Sequence, residues 1–115
     1  MKHEILRNCP PVIRDFLTYS ETIKGKSSLS VEGYYLDLQT FFRYLLFVRG
    51  LVDGKAEFEE IDISSVDINL IKTVTISDLY AYLVFCKNER NNNAATRARK
   101  TSTLRIFFRY MCEQT

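Results

Sequence analysis

Apolar residues recur along this chain at helical spacing in four separate stretches. In the first, Val12, Phe16, Tyr19 and Ile23 step by three or four, the repeat that lines one face of an α-helix. Pro10 and Pro11 stand at its start and Gly25 follows it, the order expected at a helix start and at a C′ reversal. The second stripe is the longest: Tyr34, Leu38, Phe41, Leu45 and Val48, widened by Tyr35, Phe42 and Leu46. So broad a face predicts a helix packed on more than one neighbour. Ser30 is its expected N-cap, with Glu32 in the first turn and Gly50 as its stop. Gly33, near the start, costs a helix about 1 kcal/mol against alanine; a close approach to the backbone would be a reason to keep it. The third stripe, Leu79, Tyr82, Leu83, Phe85 and Cys86, follows Thr75-x-x-Asp78, the spacing of a capping box. The fourth, Leu104, Phe107, Phe108 and Met111, occupies the later turns of a helix predicted from Asn93 to about Glu113.

Residues 51–73 break the pattern. The segment DGKAEFEEIDISSVD is acidic and turn-rich, and Ile61, Ile63, Val66 and Ile68 alternate as in a strand. A single strand would have no partner for its backbone, so the expectation is a loop with one helical turn near Ser65 to Leu70. The prediction is an all-α fold, a four-helix orthogonal bundle with one long connection between helices 2 and 3. Met1 to Cys9 reads as a flexible lead-in, and residues 10–115 as one domain. Leu38, Phe41, Leu45, Leu83, Leu104, Phe107 and Phe108 are expected to meet in one core.

Composition supports such a core: 46% of the 115 residues are hydrophobic and 13% aromatic. Cys9, Cys86 and Cys112 are odd in number and lack C-x-x-C spacing, which implies neither a zinc site nor a disulfide framework. Cys86 and Cys112 fall in apolar helical patterns and are expected to be buried thiols, as suits a reducing compartment. Without a signal peptide or a long apolar run, a soluble, cytoplasmic protein with no membrane partner is expected.

Catalytic chemistry finds little support. His3 is the sole histidine, so no Ser-His-acid or Cys-His arrangement can be assembled. The glycines are isolated, with no phosphate loop among them. Glu57, Glu59, Glu60 and Asp62 lack the order of a calcium loop and read as a solvated connector. The expectation is a binding domain rather than an enzyme, with no cofactor and no metal.

Charge changes the picture further. The net charge is only +2, but Lys87 to Arg109 holds seven basic residues against Glu89, while Asp53 to Asp78 holds seven acids against Lys55 and Lys72. A positive end of this kind is where a polyanion docks. Within it, NNNAATRARKTSTLRIFFRYM (Asn91 to Met111) opens on three asparagines and places Arg97, Arg99 and Lys100 in its first turns. The apolar later turns can root in a core. The basic start offers cations, backbone N–H groups and the positive end of the macrodipole to an anion.

Three segments together carry a family resemblance. LSVEGYYLDLQTFFRYL (Leu29 to Leu45), TISDLYAYL (Thr75 to Leu83) and ATRARKTSTLRIFFRYM (Ala95 to Met111) resemble the N-terminal core-binding domain of tyrosine recombinases, the phage-integrase and Xer family, in its SAM-like form. The marks are Ser30, Tyr34, Asp37, Leu38 and Phe41 in the second helix, and Thr96, Arg99, Ser102, Leu104, Arg105 and Phe107 in the fourth. The connector Ile23 to Ser27 looks similar too. Ser30 stands where many members have threonine, and serine caps equally well. The resemblance covers about residues 11–111.

It implies half of a C-shaped clamp on double-stranded DNA, with the second and fourth helices across the major groove near the strand-exchange site. It also implies two protein partners: a C-terminal catalytic domain, missing from this chain, and other recombinase protomers on DNA. The family's catalytic residues lie in that second domain, and none is carried over here. The expected DNA-binding residues are Lys26, Ser28, Ser30 and Gly33 at the entry to the second helix, and Asn93, Thr96, Arg97, Arg99 and Lys100 at the start of the fourth, sharing one surface. The alternative is a small helical protein–protein interaction domain that does not bind DNA, since fold alone does not decide function.

Overall fold

The computed structural model describes residues 8–114. Its regular elements are α1 (Pro11–Thr22), α2 (Ser28–Val48), a 3-10 turn (Phe58–Glu60), a short α3 (Ile68–Ile71), α4 (Ile76–Asn88) and α5 (Ala94–Gln114). No strand occurs among the described residues, so the fold is all-α as expected, with the long connection between the second and third of its major helices. Two compact units divide the chain, Met1–Lys72 and Thr73–Thr115.

In the first unit, α1 packs against α2. Pro10 is the N-cap and Pro11 the first helical residue, where a missing N–H removes no helix bond. The buried face of α1 is Ile13, Phe16, Leu17 and Ser20. This corrects the expected stripe: Val12 and Tyr19 are half-buried and Ile23 is 70% exposed. The two stripes share Phe16, and the winning one lies about 100° round the helix. Burying Ser20 is tolerable because its hydroxyl donates to the Phe16 carbonyl at 2.9 Å. Tyr19 instead stays near the surface under Lys24, whose Nζ sits 6.0 Å from the ring centroid. Of the expected lead-in, residues 1–7 lie outside the described residues. Cys9, its last residue, is buried and bound through its carbonyl to Arg14 Nη2 at 3.2 Å. Burial pushes the Cys9 thiol up to about 12, with Arg14 pulling the other way.

The second correction concerns the cap of α2. Ser27, not Ser30, is the N-cap, its Oγ accepting the Ser30 N–H at 3.2 Å. At the other end Gly50 has φ +67°, and the Leu51 N–H returns to the Leu46 carbonyl at 2.9 Å while Gly50 N–H reaches Phe47 O at 3.1 Å. These are the two bonds of a Schellman motif. Leu38, Phe41, Phe42 and Leu45 are buried along the helix, while Val48, expected in the stripe, is 53% exposed.

The connection after α2 is anchored by its apolar residues. Ile61, Ile63, Val66 and Ile71 are buried, and Arg43 of α2 donates from Nε to the Ile61 carbonyl at 3.0 Å and from Nη1 to Glu59 at 3.4 Å. Glu57, Glu59, Glu60 and Asp62 point outward and are exposed. Hydrogen bonds from Ser64 hold the Asp62 carboxyl below the usual carboxylate range. The alternating isoleucines therefore line a loop's inner side without forming a ladder.

In the second unit, Thr75 and Asp78 form the expected reciprocal capping box at the start of α4. Tyr82 and Cys86 are buried there, and α5 buries Thr103, Leu104, Phe107 and Met111. Leu83 and Phe108 were expected in the core but are only half-buried. They border an apolar groove of about 360 Å³ between α4 and α5, with Ile76, Tyr80 and Arg105 at its edges. Cys112 is a further correction: it is exposed in the last turn of α5, whereas Cys86 is buried as expected. Among the described residues no helix is long and apolar enough to cross a membrane.

Candidate nucleic-acid interface

The turn between α4 and α5 is built by three successive asparagines, each with a different task. Asn91 adopts φ +54°, a left-handed conformation that asparagine tolerates better than most residues. Asn93 caps α5, its Oδ1 accepting the Thr96 N–H at 2.9 Å. Asn92 lies between them and collects four hydrogen bonds. Its N–H donates to Cys86 O at 3.0 Å, and its Nδ2 donates to Arg90 O at 3.2 Å. Its carbonyl accepts from Arg97 Nη1 at 2.6 Å, and its Oδ1 accepts from Lys100 Nζ at 2.6 Å.

The expected residues of this helix start therefore separate. Asn93 and Arg99 are exposed, and Thr96 and Arg97 half-buried. Lys100 is only 6% exposed, which corrects its expected place on an open basic face. A lysine carries an apolar stem, and this one runs inward to an acceptor. Beyond the first turns, Ser102, Arg105 and Arg109 are exposed along α5, so its outer face stays basic over further turns. Sequence reasoning missed Asn92. The asparagine run was a visible signal, since such side chains bond readily to nearby backbone, but periodicity does not rank three neighbours.

In the first unit, Lys26, Ser28 and Ser30 are exposed at the entry to α2, and Gly33 is half-exposed. Gly25 at φ +68° lets the chain reverse, and the Lys26 N–H bonds to Ser20 O at 2.9 Å. Ser27 Oγ, missed as the cap, also donates to Ser30 Oγ at 3.1 Å. Beyond its chain neighbours and its own helix backbone, a methyl group added at Gly33 would meet nothing within 4 Å among the described residues, so no packing there requires glycine. These four residues belong to one unit and the α5 residues to the other. Among the described residues no His, Cys, Asp and Glu group could hold a metal ion.

Tyrosine recombinase XerC of Caldanaerobacter subterraneus subsp. tengcongensis is 48% identical to this chain over 102 residues, 89% of the chain. The chain is homologous to a tyrosine recombinase. It spans 29% of that relative's length, as an N-terminal domain of a tyrosine recombinase would. No family model and no solved structure matches it. The homology takes in nearly all of a chain whose described elements are helical, in accord with the tyrosine-recombinase resemblance of its three helical segments.

Proposed function

We propose that this chain is the core-binding domain of a site-specific tyrosine recombinase and grips duplex DNA near the strand-exchange site during integration and recombination. The observation that carries the reading is the 48% identity to a tyrosine recombinase over 89% of the chain. The basic start of α5 and the hydroxyl-rich entry to α2 support it. Arg97 and Arg99 reach phosphates or a guanine edge. Lys26 adds charge, and Ser28, Ser30 and Thr96 donate hydroxyl bonds to phosphate. Asn93 bonds at the same helix start, and Gly33 leaves room for the sugar-phosphate backbone. Cleavage and joining belong to a partner catalytic domain, and other protomers complete the assembly on DNA. This domain's share of the reaction is to hold the duplex.

A salt titration tests the reading. The 115-residue chain should bind duplex DNA with a dissociation constant of about 10⁻⁴–10⁻⁶ M, and log affinity should fall linearly with log salt. Affinity that stays flat between about 50 and 200 mM salt would favour an apolar protein interface instead. Gly33→Ala supplies a second check, with opposite signs in two measurements. Its helical site is open, so melting should rise by the equivalent of about 0.5–1 kcal/mol. The methyl group should nevertheless weaken DNA binding. Unchanged affinity would remove Gly33 from the contact surface.

A further inference from the structure

Lys100 is poorly placed to serve as a phosphate contact. Its side chain is buried, and its Nζ lies 2.6 Å from Asn92 Oδ1. An ammonium taken out of water needs such an acceptor. Asn92 is thereby held from several sides: Lys100 and Arg90 fix its amide, and Cys86 O fixes its N–H. What the fixed residue presents in turn is its carbonyl, which receives Arg97 Nη1 at 2.6 Å. Only one of the guanidinium's five N–H donors is needed for that bond. A guanidinium already held at one corner loses less rotamer freedom when the others meet a ligand.

We propose that Lys100 and Asn92 form a positioning latch for Arg97: Lys100 holds Asn92, the Asn92 carbonyl holds the guanidinium in its DNA-gripping posture, and Lys100 itself touches no phosphate. The proposal rests on the DNA-binding reading above. Its signature is a split between affinity and salt dependence. A residue that contacts phosphate contributes to both, because its contact releases counterions. A residue that only orients another contributes to affinity alone. A purely structural closure of the turn would change melting and the fraction of folded protein, but not the affinity of the folded molecules.

The test measures binding of the 115-residue chain to a duplex oligonucleotide across a salt series, corrected for the folded fraction. Lys100→Met keeps the apolar stem and removes the ammonium. It should weaken binding by about twofold to tenfold, the scale of one immobilised side chain, with the wild-type salt slope. Asn92→Ala should behave alike. Arg97→Ala should lower the slope by about 0.9, and adding Lys100→Met to it should have no further effect. Should Asn92→Ala fail to fold with the buried ammonium deprived of this acceptor, the double variant Asn92→Ala/Lys100→Met removes that burden and carries the same expectation. A drop in slope for Lys100→Met equal to that of Arg97→Ala would make Lys100 a direct contact and overturn the latch. So would wild-type affinity in both Lys100→Met and the double variant. A wild-type chain without salt-dependent DNA binding would overturn the DNA reading and the latch with it, whereas unaffected variants of a chain that does bind overturn the latch alone.

Discussion

Phe107→Ala should destabilise the chain by about 3–5 kcal/mol, the cost of emptying a fully buried aromatic site. Phe107 has no exposed surface. Its ring meets Phe108 edge-on, with centroids 5.3 Å apart at 75°, an arrangement favourable beyond the buried area itself. Domains of ordinary stability have only about 5–15 kcal/mol in hand. At roughly 4–8 °C per kcal/mol for a small domain, melting should fall by about 15 °C or more, or folding should fail. Phe108→Ala is the internal control. That ring is half-buried at the groove between α4 and α5, so its removal leaves a hollow that water can reach and should cost roughly 1–2 kcal/mol. Equal losses for the two neighbours would contradict their assigned environments.

Arg97→Ala/Arg99→Ala should weaken DNA binding by the 115-residue chain by roughly sixtyfold while leaving it folded. If each arginine makes one phosphate contact, the salt slope falls by about 1.8 for the pair. A slope of about 0.9 per contact is worth roughly a factor of eight at about 0.1 M salt, so two contacts are worth roughly sixtyfold. A dissociation constant that starts at about 10⁻⁶–10⁻⁴ M then rises to about 10⁻⁴–10⁻² M. Stability should change little by comparison. The Arg97 bond to the Asn92 carbonyl contributes about 1 kcal/mol, and Arg99 is exposed, where substitutions shift stability by about 0.5 kcal/mol or less. Binding equal to wild type by a folded double variant, measured at about 50 mM salt where electrostatic contacts count most, would move the DNA surface away from the start of α5.

Local chemistry was legible in the amino-acid sequence. The proline pair at the start of α1, the Thr75–Asp78 box and the reversals at Gly25 and Gly50 stand where reading the chain put them, and the last helix starts at Ala94, one residue after the expected Asn93, which caps it. Each depends on interactions within a few residues, which the order of residue types specifies directly. The count and order of the major helices followed for the same reason. Rotation of each helix against its neighbours was settled only by tertiary packing. Helical spacing permits two stripes on α1 that share Phe16, and packing against α2 selects Ile13 and Leu17 over Val12 and Ile23. Ser27, Ser28 and Ser30 are equally good caps by residue type, and only the fold shows that Ser27 takes the role. Arg43 finds Ile61 across a separation of 18 residues, a pairing no local pattern encodes. The same limit governs the candidate site. Arg97, Arg99 and Lys100 look alike as a basic run, and a lysine can lie along the surface or run inward on its apolar stem. Residue order alone specified that the chain would be helical and, the cap of α2 aside, roughly where its major helices begin and end. Only the folded unit decided that Lys100 turns inward to Asn92 while Arg99 stays in solvent, because that choice depends on a buried acceptor supplied by the turn between two helices.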